Sequence, residues 1–580
     1  MESASGSLSV GAAVFVFLAA AVLTVPVSLA LLWLYRRAVR DAMRRPAGVP
    51  SPPAPPPPAV ALVSPPAAPL VIETIEQRAP SVGPGLVESA GPALRPAQRG
   101  PWVTALVYGV AGIGHAAVTT FLYLVAAGME FFPLRTLVVT WVLAWPVVLT
   151  LSLAAAGRRL VTAGIYFGGL LGLFALARGL GRADGTWRDA PLLWATLVGV
   201  PTVFLLAFLH RRLRAVGPLV LVFMVAGVGG AHLATSLVAT DAGLRAAAQF
   251  AVAAEVDAAV VLLGLALAGF ALFGVLGWLS LGWIGRRYAS KRISDQSLAV
   301  DTIWLLFTLN ASLNLVFEGS LWPVAALSSF VVYKALAGAG FALARRGATL
   351  APARPNYRLL LLRVFSSPGR SERLMARAGA RWRYAGSIQL IAGTDLATTT
   401  LEPHEFLDFV RGKLAGRFVQ DRAGLERQLR ELDLRPDADG RFRVNEFFCH
   451  DDTWRMTLSR LVAINDAVLM DLRGFTPANQ GCIYELRELV SVVALGKIVL
   501  VVDGSTDIPF LRRVLDDAWA ALPAASPNRR YATRLAVCHL TRDDDAAAGL
   551  VLGAVARAAA ADAAAAAPLT SRADQAPAPT

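Results

Sequence analysis

The 580-residue chain is 55% hydrophobic and only 17% charged, and its mean hydropathy of +0.53 excludes an ordinary soluble globular protein. A formal net charge of +14 does not make it a nucleic-acid binder, because many arginines sit at the ends of apolar runs and no basic run is interleaved with aromatics. The averages hide a split: residues 101–344 are apolar with few charges, whereas 354–545 carry the mixed charge of a globular domain.

Residues 11–35 form a first apolar span, long enough at about 1.5 Å per residue to cross a hydrocarbon core. Only Glu2 is charged ahead of it, and Arg36, Arg37, Arg40, Arg44 and Arg45 follow. A cleaved signal peptide would carry the reverse pattern, so the segment reads as an uncleaved anchor with its N-terminus outside. Residues 46–100 are rich in proline, including Pro55 to Pro58, with no sustained apolar period. Such a stretch is expected to be a disordered, semi-rigid spacer.

Eight more spans follow over 101–346, at about 102–127, 134–156, 160–177, 190–209, 216–239, 256–284, 298–317 and 321–344. They predict a polytopic α-helical membrane bundle whose partner is the lipid bilayer. Arg36-Arg37, Arg158-Arg159, Arg211-Arg212, Arg286-Arg287 and Arg345-Arg346 fall at every second span end. Cytoplasmic flanks carry the Lys/Arg excess, so the alternation predicts a multi-pass protein of the cell membrane with everything beyond Arg346 in the cytoplasm. Within the spans, Asp301, Lys334, Asn310 and Asn314 are expected to pack the last two helices together. His115 and His232 read as interhelical hydrogen-bonding groups rather than metal ligands.

Beyond residue 351 the periodicity changes. Strands are expected at 357–365, 388–391, 467–472, 497–502 and 535–540, with another at 442–448. Helices are expected at 370–383, 454–464, 483–493, 510–522 and 546–561, and one or two more within 403–435. Apolar strands separated by amphipathic helices imply a cytosolic α/β domain over 355–545, a doubly wound parallel sheet of flavodoxin-like type. An Ala-rich helix and a disordered tail occupy 546–580. Ligands of such sheets bind beyond the carboxyl ends of the strands, where Ser366, Ser367, Gly393, Thr394, Asp395, Asp471, Arg473 and Asp503 gather. Cys449, Cys482 and Cys538 lack metal-site spacing and read as reduced, buried thiols. No P-loop, HExxH or GxSxG motif occurs.

The stretch Asn465 to Phe475, continuing through Asn479-Gln480-Gly481-Cys482-Ile483-Tyr484-Glu485-Leu486, resembles the TIR-domain family and its nucleoside deoxyribosyltransferase-like relatives. Cys482, Glu485 and Leu486 look like the cysteine, glutamate and leucine that open the third TIR helix. The resemblance covers about 190 of the 580 residues. It implies a five-stranded parallel fold and, in enzymatic members, cleavage of the N-glycosidic bond of NAD, which is then substrate and not cofactor. It also implies self-association through the domain. Glu485 would be the catalytic carboxylate, suited to stabilise an oxocarbenium-like ribose. Ser366, Ser367, Asp471 and Asn479 would line the nucleotide site, Phe475 or Tyr484 would stack on a base, and Arg473 would meet a phosphate. Two departures stand out: Gly481 occupies the usual tryptophan position, and a long insertion separates the second and third strands. Without catalysis, Glu485 reads as a first-turn acid favourable to the helix dipole. The alternatives are then a non-catalytic membrane signalling or scaffold protein, or a transporter with a cytosolic regulatory domain.

Overall fold

The computed structural model describes the chain except at residues 1, 46–68, 78–94, 155–158, 181–188, 209–210, 239, 316–317, 319–320, 348–356, 364–372, 393–402, 530–533 and 567–580. It divides into a helical unit, residues 1–37, 101–346 and 401–413, and a sheet unit, residues 38–100, 347–400 and 414–580.

Among the described residues, eight helices are long and apolar enough to cross a membrane: Val22–Arg44, Arg99–Ala126, Pro133–Leu153, Leu160–Gly179, Val216–Ser236, Ala258–Ala289, Asp295–Leu315 and Val324–Arg346. The second of the expected central spans breaks into Pro133–Leu143 and Trp145–Ala154. Pro146, which has no N–H to continue the ladder, follows the break. The span expected at 190–209 is a run of three contiguous pieces, Asp189–Trp194, Ala195–Gly199 in π geometry, and Val200–Phe208. A π turn disturbs the local carbonyl ladder. Here the Asn310 side-chain amide donates to the Leu197 carbonyl at 2.9 Å. Trp145 Nε1 donates to Thr202 Oγ1 of the same run at 2.8 Å.

Asn310 and Asn314 therefore do not join the last two helices as expected. Asn314 instead donates to the Tyr123 hydroxyl at 3.0 Å. The Asp301–Lys334 pair does link Asp295–Leu315 to Trp322–Arg346, at 2.7 Å. The amphipathic helix Pro403–Val410, which the sequence assigns to the α/β domain, belongs to the helical unit. His404 stacks on Tyr288 with ring centres 5.5 Å apart, and Phe409 meets Tyr35 edge-on at 5.3 Å.

Among the described residues the sheet unit has eight strands: β1 Val71–Glu76, β2 Tyr357–Arg363, β3 Gly386–Ala392, β4 Phe418–Val419, β5 Val444–Cys449, β6 Ala467–Asp471, β7 Ile498–Asp503 and β8 Arg534–Leu540. All pairings are parallel, in the order β1-β8-β7-β6-β2-β3-β5-β4. Runs such as Leu359 to Leu362 and Ile498 to Val502 are buried along their whole length, because helices cover both faces. Trp454–Ile464, Gln480–Val492 and Ile508–Ala520 pack on Leu360, Leu362, Val468, Met470 and Leu500. On the other face, Trp382, Val551 and Val555 meet Leu359, Leu361 and Leu469 around a small apolar cavity.

Two expectations are corrected here. Among the described residues the sheet has eight strands and not the five that the resemblance implies: β1 extends one edge, and β5, close to the strand expected at 442–448, and β4 extend the other, both built from the insertion between β3 and β6. The Pro-rich segment is not structureless throughout. Val71–Glu76 pairs along its whole length with β8. This strand does not need a core of its own, since the existing sheet edge supplies its main-chain partners.

Candidate functional site

From β2 the chain moves to β3 on one side, while β6, β7 and β8 build outward on the other. The connections therefore diverge between β2 and β6, and the carboxyl ends of those two strands are where such sheets bind their ligands. Arg363 ends β2, Asp471 ends β6, and the two are register partners. Both are buried, at 4% and 2% exposure. Sequence reasoning missed Arg363. Its signal was a cation closing a strand of four consecutive leucines, which only a site or a partner makes tolerable.

Glu485 projects from the helix Gln480–Val492, which follows β6. Cys482 Sγ, one turn earlier, donates to the Arg363 carbonyl at 3.7 Å and ties this helix to the end of β2. Glu485 is 5% exposed. Burial pushes its carboxyl up to about 8, opposed by the positive charge of Arg363. Among the described residues its Oε2 has no hydrogen-bond partner. The helix begins at Gln480, so no acid lies in its first turn. That removes the dipole explanation of Glu485, because the dipole's effect fades within one turn.

The other expected site residues divide into three groups. Asp471 and Arg473 form a closed bidentate pair: Arg473 Nε reaches Asp471 Oδ1 at 2.9 Å and Nη2 reaches Oδ2 at 2.8 Å. Burial alone would lower the Arg473 pKa, but the hydrogen bonds and charge of Asp471, with Asp543 and Asp503 further off, raise it instead. Gly474, at φ +77°, turns the chain away after this pair. Phe475 then points into the core, fully buried, with its ring 5.6 Å from Phe510. Asn479 accepts from the Thr476 N–H at 2.8 Å and closes that turn. Tyr484 lies against Trp454, edge-on at 5.4 Å, under the Arg455 guanidinium at 5.2 Å. Ser366, Ser367, Gly393, Thr394 and Asp395 lie outside the described residues.

The structure thus brings together Arg363, Cys482 and Glu485, with the Asp471–Arg473 pair beside them on the neighbouring strand end. It puts the aromatic rings of Phe475 and Tyr484 into packing contacts. All three cysteines are buried and none forms a disulfide, and burial raises Cys449 and Cys538 to about 12, so neither is a thiolate nucleophile at neutral pH. Among the described residues no group of His, Cys, Asp and Glu could hold a metal ion. Set against family models, curated proteins and solved structures, the chain finds no match.

Proposed function

We propose that the sheet unit is a TIR-like nucleotide glycohydrolase, tethered by the helical unit to the cytoplasmic side of the cell membrane, with Glu485 as the carboxylate that meets the ribose. The central strands β3-β2-β6-β7-β8, numbered among themselves, run 2-1-3-4-5, the flavodoxin-like order whose ligands bind where the order reverses. Glu485 sits on the helix that follows the third of these strands, as the resemblance implies. The observation that carries the proposal is its burial beside Arg363 with one oxygen unsatisfied, because such a group lowers stability and is explained by use. Orientation rests on the arginines. Arg286 and Arg287 occupy the last turn of Ala258–Ala289, and Arg345 and Arg346 that of Trp322–Arg346. Arg287 lies over Trp283 at 4.6 Å and Arg37 over Trp33 at 5.8 Å, an interfacial aromatic and a headgroup cation at each end.

In the proposed reaction the bond between ribose C1′ and the nicotinamide nitrogen breaks, and nicotinamide leaves with the electron pair. Ionised Glu485 stabilises the oxocarbenium until water adds at C1′ and gives up a proton. The cationic pyridinium of bound NAD favours the ionised carboxylate. A second reading, a non-catalytic signalling module that self-associates, is favoured by the enclosure of Glu485 and the closed Asp471–Arg473 pair. Full-length protein in lipid nanodiscs, incubated with NAD and assayed for nicotinamide, separates the two. Release is expected from the wild type and a loss of about 100-fold or more from Glu485→Gln. No release leaves the signalling module, and release that survives the substitution unchanged removes Glu485 from the chemistry.

A further inference from the structure

The helical unit gathers a second set of polar groups, most of them buried, that the proposed chemistry at Glu485 leaves unused, and they lie along one seam. Arg95–Ala126 contributes Tyr108, His115 and Thr119, Asp295–Leu315 contributes Asp301, Trp304 and Thr308, and Trp322–Arg346 contributes Ser329, Tyr333 and Lys334. Spacings of three, four and seven on the first two helices, and of four between Ser329 and Tyr333, keep those groups on one side of each helix; Lys334 directly follows Tyr333, and Asp301 to Thr308 covers about 10 Å of rise. His115 Nε2 lies 2.8 Å from Thr308 Oγ1 and 3.2 Å from Ser329 Oγ. Its ring packs on Trp304 at 4.8 Å, and Trp304 stacks on Tyr333 at 5.3 Å. The Tyr333 hydroxyl donates to Asp301 Oδ1 at 3.2 Å, and Lys334 Nζ donates to Oδ2 at 2.7 Å.

We propose that Asp301, Tyr333 and Lys334 form a proton-binding site inside the bundle, with two interchangeable states, and are not a fixed ion pair. Both helices are long and apolar enough to cross a membrane, and Lys334 falls midway along its own helix. In hydrocarbon an ion pair persists only when its geometry offsets the desolvation of both charges. The two partners are unequally enclosed: the Lys334 side chain is 46% exposed and that of Asp301 18%. Lys334 can therefore swing its ammonium outward on a four-carbon stem, whereas Asp301 stays with the tyrosine. In one state the carboxylate accepts from both Lys334 and Tyr333. In the other it has taken one proton from the aqueous phase, remains hydrogen-bonded to Tyr333, and has released Lys334, so the site gains one positive charge and no other bond changes. The titratable groups acting on this cluster are Lys334 and Tyr333 on one neighbouring helix and Tyr108 on the other. The inference is independent of Glu485 and gives the bundle a proton as its ligand.

An apolar carbodiimide, which attacks protonated carboxyls from the hydrocarbon side, tests it on the full-length protein in liposomes, with adducts mapped by peptide mass spectrometry. Asp301 should be modified several-fold more at about pH 5 than at about pH 8, as expected of an intramembrane acid that takes up protons. Lys334→Met, which removes the counter-charge, should bring modification at the higher pH up to the acidic level. An Asp301 that stays unmodified in both proteins, or reacts equally at the two pH values in the wild type, has a fixed protonation state, and the proposal fails.

Discussion

At neutral pH a carboxyl raised to about 8 holds its proton, and Glu485 therefore links folding to pH in one direction and, under the proposed function, chemistry in the other. Its unfolded value is near 4.5. Between the two values the folded chain keeps a proton that the unfolded chain has released. The stability this group contributes is present below about pH 4.5, falls as pH rises, and is lost above about pH 8. At about 1.4 kcal/mol per unit the total is on the order of several kcal/mol. Glu485→Gln keeps the shape and removes the titration. The variant should match the wild type near pH 4 and, by on the order of a few kcal/mol, be the more stable near pH 9. Hydrogen exchange in Gln480–Val492 measured across pH reads this directly, and parallel pH profiles for the two proteins would contradict it. Catalysis has the reverse sign. If the ionised form stabilises the oxocarbenium, kcat/KM for nicotinamide release should climb with pH along a limb whose apparent pKa lies near 8.

Among the elements, β1 shows how a weak strand is held. Its side chains are mostly exposed, so backbone pairing and Gln77 must supply the attachment. Gln77 Oε1 accepts from the Thr541 and Arg542 N–H groups, each at 2.9 Å, and its Nε2 donates to Asp544 Oδ1 at 2.9 Å. Gln77→Ala is expected to cost about 1–3 kcal/mol and to speed amide exchange in Val71–Glu76 and Arg534–Leu540 without touching β2. Unchanged protection in β1 would show that Gln77 does not hold it. The sequence made other elements plain. Trp454–Ile464 has the bounds its periodicity indicates, and Ile498–Asp503 reads as a buried strand from its unbroken apolar run. β1 was hidden because its alternating V-I-E-T-I-E pattern lies among prolines while its partner is hundreds of residues away. The π turn at Ala195–Gly199 was hidden because the side chain that compensates it, Asn310, comes from another helix. Within the candidate site, Glu485 was singled out by the resemblance, but its burial and the charge of Arg363 were not legible. Those depend on which strand ends become neighbours, and local pattern does not encode that.

For the whole molecule, one feature of the helical unit decides where the chemistry can happen. Among the described residues eight helices are long and apolar enough to cross, and an even number of crossings would leave both chain ends on the same side. The run 189–208 supplies the odd crossing if it spans. Its hydrogen bonds to Asn310 and Trp145 hold it among the other helices, as expected of a backbone whose polar groups must be satisfied within the bundle. Nine crossings with the N-terminus outside would put the sheet unit in the cytoplasm, as the proposed function requires. The most direct measurement is the side of the membrane on which a reporter fused after Thr580 lies. A fluorescent protein that folds only in the cytoplasm should be bright there, and an alkaline phosphatase that works only outside should be inactive. An active phosphatase at that position would put Glu485 on the wrong side of the bilayer and contradict the proposed function at its root.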